Sequence, residues 1–197
     1  MKMKLNLPNK LTLIRIVLVP VFMIAILAPI FESEAVSRLV AFGIFVLTAL
    51  TDMLDGKIAR KYNLITNFGK FMDPLADKFM VFGAMLCIIV KYTYLTNVFV
   101  WAAAIVMFRE LAVTSIRLVV AGQDNIVVAA SWLGKVKTVS QVVCICTIIL
   151  EPVVLPFAIF RDMHILSYIT IAFMVVMTIW SGADYLKTYW KYIKPTE

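Results

Sequence analysis

Asp52, Asp55, Asp73 and Asp77 stand within long apolar stretches of the sequence. Their spacing is Asp52-x-x-Asp55-Gly56-x-x-Ala59-Arg60, followed by Gly69-x-x-x-Asp73-x-x-x-Asp77. Hydrocarbon tolerates carboxylates poorly: each costs about 2.5–3.5 kcal/mol at a helix centre, so four cost on the order of 10 kcal/mol unless a cation or water meets them. On helices, about 60° separates Asp52 from Asp55 and about 40° separates Asp73 from Asp77, so each pair presents one carboxylate edge. Four carboxylates at close quarters do not all stay ionised without a cation. Oxygen-only donors, with no nearby histidine or cysteine, select a hard ion such as Mg2+ or Mn2+ over zinc. Two ions bridged by shared carboxylates balance the charge best and suit phosphoryl chemistry.

The neighbours of the aspartates fit a phosphate-bearing ligand. Gly56 and Ala59 share nearly one face and leave a bare backbone strip beside the carboxylates. Arg60 offers a planar donor fork to phosphate, and Gly69 lies where helix N-terminal amides favour anions. Asp73-Pro74 reads either as an N-cap followed by proline at the first helical position or as part of a helix that begins near Gly69. Taken singly, Gly56-x-x-Ala59 is a helix-packing notch, and Arg60 is an interfacial anchor. Taken together, eight such positions within 26 residues are not explained by packing alone.

The elements that position these residues are helices in a bilayer. The chain has 197 residues, of which 62% are hydrophobic and 16% charged, with a mean hydropathy of +0.94. A soluble domain carries about 25% charge. The apolar runs are far longer than buried strands, so the expected fold is all-α: one membrane-embedded domain over 1–197 with six transmembrane helices. The spans read from hydropathy and breakers are 10–30, 36–61, 69–91, 97–121, 136–159 and 164–190. The stretch from Met1 to Ile30 has a basic start, but Arg15 interrupts its apolar run and no small-residue cleavage site follows. A retained first helix is therefore expected rather than a secretory signal. Cys87, Cys144 and Cys146 lie in apolar runs and read as small buried residues.

With a cytoplasmic N-terminus, 15 of the 19 lysines and arginines collect on the cytoplasmic side, Arg15, Lys78, Arg117, Lys135 and Lys137 among them. Arg38, Lys91 and Arg161 fall on the other side, and Arg109 sits deeper in its span. Positive residues concentrate in cytoplasmic loops, so both termini are expected inside. The net charge of +7 follows from this asymmetry and calls for no nucleic acid. In that topology the second and third spans bring both aspartate pairs to similar depth, open to the cytoplasm. His164 falls in an external loop, away from any chemistry there, and Trp132, Trp190 and Tyr192 read as an interfacial belt.

With all eight signature positions filled, Asp52-Met-Leu-Asp55-Gly56-Lys-Ile-Ala59-Arg60 and Gly69-Lys-Phe-Met-Asp73-Pro-Leu-Ala-Asp77 resemble the CDP-alcohol phosphotransferase family. Length and span number are similar along the whole chain. The segments 7–15, 109–117 and 134–138 further resemble the bacterial branch that makes phosphatidylglycerophosphate. The resemblance implies transfer of a phosphatidyl group from CDP-diacylglycerol to an alcohol, with CMP leaving. It implies Asp52, Asp55, Asp73 and Asp77 as metal ligands and Asp77 as general base. It also implies Gly56, Ala59, Arg60 and Gly69 around the CDP-lipid, a homodimer, and a bacterial cytoplasmic membrane. A phosphorylated acceptor needs further cations, for which Arg109, Arg117, Lys135 and Lys137 are the candidates, each also readable as a positive anchor or ion-network member. Glycerol 3-phosphate is the expected acceptor, with inositol phosphate or serine as alternatives. A cation transporter using the aspartates is the rival class; against it stand the lack of a clear internal repeat and the arginine beside the motif.

Overall fold

The computed structural model describes residues 6–62, 66–121, 131–155 and 163–192. It comprises α1 (Leu7–Leu27), α2 (Glu34–Lys61), α3 (Asn67–Lys91), α4 (Thr96–Ala121), α5 (Trp132–Val154) and α6 (Ile165–Tyr189), with a closing 3-10 turn at Trp190–Tyr192. Among the described residues no strand occurs. Each helix covers most of an expected span, and α1 and α5 begin three or four residues earlier than hydropathy suggests, because polar caps rather than apolar residues set their starts. The Asn6 side chain accepts from Asn9 N at 3.1 Å with Pro8 in the first turn, and Ser131 Oγ accepts from Gly134 N at 3.1 Å. Such caps satisfy amides that the first helical turn leaves unpaired.

The start of α3 decides between the two readings of Asp73-Pro74. Thr66 caps this helix by accepting from Gly69 N at 3.0 Å, so Asp73 lies inside the helix and Pro74 is an internal proline. That proline removes the amide that would bond the Lys70 carbonyl. At the other end of the bundle, Glu151 of α5 accepts from Leu166 N and Ser167 N, both at 2.9 Å, and from Ser167 Oγ. A buried carboxylate there meets the positive end of α6.

Five of the six helices are long and apolar enough to cross a membrane; α3 falls outside that group. Six transmembrane helices are expected from the sequence; six long helices are described, and α3 differs from the other five in its charges. Lys70, Asp73, Asp77 and Lys78 occupy the first half of α3 and lower its hydropathy where the chemistry sits. The chain is a multi-pass membrane protein. Its outward faces carry Trp101, Phe108 and Leu118, all more than 70% exposed, which suits lipid where it would be a liability in water.

Helix α1 packs against α2 and α3, and α6 packs against α4 and α5; contacts of α5 with α2 and α3, and of α4 with α3, join the two groups. One apolar cluster runs through the join, with Phe22 and Ile26 of α1, Phe45 of α2, Met85 and Ile88 of α3, Phe99 of α4, Ile145 and Ile148 of α5, and Met174 of α6. Because lipid tails are as apolar as leucine, close packing rather than water exclusion drives such contacts. Gly83 illustrates it: an added Cβ would stand 3.0 Å from Val19 Cγ1, so α1 and α3 meet where a side chain is absent.

Candidate active site

The site is assembled by α1, α2 and α3 around Arg15. This side chain is fully buried, yet its guanidinium touches three signature carboxylates: Nη1 lies 2.8 Å from Asp52 Oδ1 and 2.5 Å from Asp77 Oδ1, and Nη2 bonds Asp55 Oδ2. One turn earlier on α1, Thr12 Oγ1 donates to Asp73 Oδ1 at 2.7 Å. Two turns earlier, Asn9 Oδ1 accepts from Thr66 Oγ1 at 3.1 Å. Positions 9, 12 and 15 therefore form the stripe of α1 that faces the site, at the three-residue spacing of one helix face. From the sequence Arg15 counted only towards the charge asymmetry; in the fold it is an internal counter-ion. Its signal was present in the sequence, as the single arginine interrupting an otherwise apolar first span.

All four aspartates come together as their spacing suggested, in two different environments. Asp55 is sealed in, with 6% of its side chain exposed, whereas Asp52 and Asp77 are 37% and 48% exposed. Both line a cavity of about 470 Å³ with Asp73. Four carboxylates against one guanidinium leave a negative excess, and every donor atom is oxygen. That donor set fits a hard divalent cation. Among the described residues no three such side chains enclose an ion by themselves. The Arg15 guanidinium lies between them, so an ion bound here shares its carboxylates with Arg15.

Gly69 is buried beside this cluster. An added Cβ would lie 3.0 Å from Asn9 Oδ1, 3.3 Å from Thr66 Oγ1 and 3.7 Å from Asp73 Oδ2. The glycine thus lets α3 approach the Asn9–Thr66 bond, in addition to any ligand contact. Gly69→Ala is expected to destabilise the protein by about 1–3 kcal/mol through overpacking. Unfolding in detergent measures this, and an unchanged midpoint would show that the Asn9 side chain moves aside freely. Gly56 and Ala59 lie on α2, partly exposed one and two turns past Asp52. The Arg60 side chain lies outside the described residues.

The opposite wall of the cavity is cationic. Arg109, Arg117, Lys135 and Lys137 all line it, together with Lys78. They are not equally available. Glu110 accepts from Lys137 Nζ and from Arg109 Nη1, the latter at 3.1 Å, and Arg109 Nη2 donates to Ser181 Oγ at 2.6 Å. Arg117 donates through Nε to Tyr185 Oη at 2.8 Å, which spends one of its five N–H groups. Lys135 is exposed at the cavity rim. Lys78 Nζ donates to Thr114 Oγ1 at 2.6 Å; it follows Asp77 directly and faces the cavity, although from the sequence it counted only towards the charge asymmetry. The arrangement sets a metal-competent carboxylate cluster on one side of a pocket and anion-binding cations on the other.

A carboxylate cluster facing a cationic pocket within a helical membrane bundle is the arrangement that phosphoryl transfer on a lipid requires. Residues 5–180 match the CDP-alcohol phosphatidyltransferase family, and the chain belongs to that family. It is 40% identical over 197 residues to the CDP-diacylglycerol–glycerol-3-phosphate 3-phosphatidyltransferase of Bacillus subtilis, covering 96% of this chain and 97% of that one. A protein of Yersinia enterocolitica with the same name is 35% identical over 195 residues, covering 96% and 97%. The probable phosphatidylglycerophosphate synthase of Mycobacterium tuberculosis is 36% identical over 181 residues, covering 92% and 80%. The family generally uses a divalent metal.

Proposed function

We propose that this chain transfers the phosphatidyl group of CDP-diacylglycerol to glycerol 3-phosphate, forming phosphatidylglycerophosphate and releasing CMP. The observation that carries the reading is that Asp52, Asp73 and Asp77, with Asp55 buried behind them on Arg15, share a single cavity with Arg117, Lys135 and Lys78. The relatives' names support the donor and acceptor.

In this reading Asp52, Asp55, Asp73 and Asp77 hold the divalent metal, Mg2+ or Mn2+, as two ions. When bound, the metal neutralises the donor diphosphate and the leaving CMP. Arg15 and Thr12 fix the carboxylates that α2 and α3 present. Gly56, Ala59, Arg60 and Gly69 border the CDP-lipid, whose acyl chains remain in the bilayer. Arg117 and Lys135 bind the acceptor phosphate; Arg109 and Lys137, held by Glu110, shape that wall. Asp77 takes the proton from the acceptor hydroxyl as its oxygen forms the new P–O bond and the bond to CMP breaks. The protein works as a homodimer in a bacterial cytoplasmic membrane, with both termini and the cavity on the cytoplasmic side, where the water-soluble acceptor is found and CMP is released.

Purified protein given CDP-diacylglycerol and Mg2+ or Mn2+ is expected to release CMP with glycerol 3-phosphate. Inositol phosphate and serine are expected to support turnover at least roughly 10-fold more slowly, since a missing or misplaced polar contact in such a site is costly. Preference for either of those acceptors would reject the assignment. Chelation by EDTA should abolish CMP release, and added Mg2+ or Mn2+ should restore it.

A further inference from the structure

We propose that Gln141 reads the secondary hydroxyl of the acceptor, making its side-chain amide a specificity-determining group for a vicinal-diol phosphate. The inference rests on the acceptor reading above and adds to it a residue on no signature position. Gln141 is 2% exposed and lines the cavity, and its Nε2 has no hydrogen-bond partner. Around it the polar wall is engaged: Lys78 with Thr114, Lys137 with Glu110, and Arg117 with Tyr185. Arg109 Nε also lacks an acceptor, but that guanidinium is anchored through both of its other nitrogens. A buried amide donor left unpaired is costly unless a ligand completes it.

Its level in the bundle says which part of the ligand it meets. Asp77 lies ten residues inside α3 and Gln141 nine inside α5, counted from helix starts at the same end of the bundle. At the common helical rise they reach similar depth. Arg117 and Lys135 lie only four and three residues from that end, on α4 and α5. An acceptor whose phosphate sits at these cations therefore points its hydroxyl end toward Asp77 and Gln141 together. With the primary hydroxyl at Asp77, the neighbouring secondary hydroxyl oxygen accepts from Gln141 Nε2.

The test compares kcat/KM for glycerol 3-phosphate and for 3-hydroxypropyl phosphate, which keeps the phosphate and the attacked hydroxyl but lacks the secondary one. Wild-type protein is expected to prefer glycerol 3-phosphate by roughly 10–100-fold, the discrimination that an unpaired buried amide produces. In Gln141→Met the ratio is expected to collapse to within roughly 3-fold of unity, because the amide is gone. A ratio in Gln141→Met equal to that of the wild type overturns the proposal, including the case where both acceptors slow equally through a purely structural defect. Should the methionine variant fail to fold, Gln141→Asn keeps the amide but withdraws it by one methylene. Its ratio is expected to fall towards unity in the same way, and a ratio equal to that of the wild type overturns the proposal there too. Wild-type protein that turns over neither phosphate would instead reject the acceptor reading itself.

Discussion

Asp77→Asn is expected to lower CMP release by roughly 10³-fold or more, with the fold intact. Asparagine keeps the size and shape of the side chain but cannot accept a proton from the acceptor hydroxyl, a role worth about 10²–10⁴-fold. It also takes one carboxylate from the metal-binding set, which adds to the loss. The fold is expected to survive because Arg15 keeps Asp52 and Asp55 as partners, and Asp77 is half exposed at the cavity. The unfolding midpoint in detergent should therefore stay near that of the wild type while the rate collapses. Retention of more than about a tenth of the rate would remove Asp77 from the proton-accepting role, since that loss is far below the usual range.

Arg15→Leu is expected to damage stability more than any change at the aspartates themselves. Taking one partner from a buried ion pair costs about 3–5 kcal/mol, because the charge left behind has no compensation. Here the loss strands three carboxylates, of which Asp55 is sealed from solvent. The measurement is unfolding in detergent with EDTA present, so that no metal substitutes for the guanidinium. Asp55→Asn added to Arg15→Leu should recover part of the loss, since the buried anion goes with its cation. Arg15→Lys should restore little: a compact ammonium cannot span carboxylates from two helices as the planar fork does. Equal midpoints for Arg15→Leu and wild type would show that the ion pairs add nothing to the fold. Mn2+ should stabilise the variant more than the wild type, because the ion then replaces the positive charge that Arg15 supplied.

These two expectations draw on different layers of information. Asp77 and the other aspartates could be picked out from spacing, because a carboxylate in hydrocarbon is costly wherever its helix lies. Arg15 could be seen as an oddity in an apolar span, but its partners could not, since they stand 37, 40 and 62 residues away along the chain. The start of α3 was open in the sequence, between an N-cap at Asp73 and a helix beginning near Gly69. It was settled by Thr66 Oγ1, which lies between Gly69 N and Asn9 Oδ1. Gly69 similarly carried a ligand role by its position in the motif, while its packing role needed the neighbouring helix. The four cations of the acceptor wall were equal by residue type, and the partly buried Glu110 separated them.

Composition, the length of the apolar runs and the aspartate spacing by themselves determined an all-helical membrane protein with a carboxylate site on its second and third spans. These are local properties, set by the cost of unpaired backbone and charge in lipid and by the 3.6-residue repeat of the helix. Only the tertiary structure decided which helix neutralises that site, which cations remain available to a ligand, and that Gln141 reaches the cavity with an unused donor. Each of those depends on which side chains meet across helices distant in the chain, and periodicity within one helix carries no record of its neighbours.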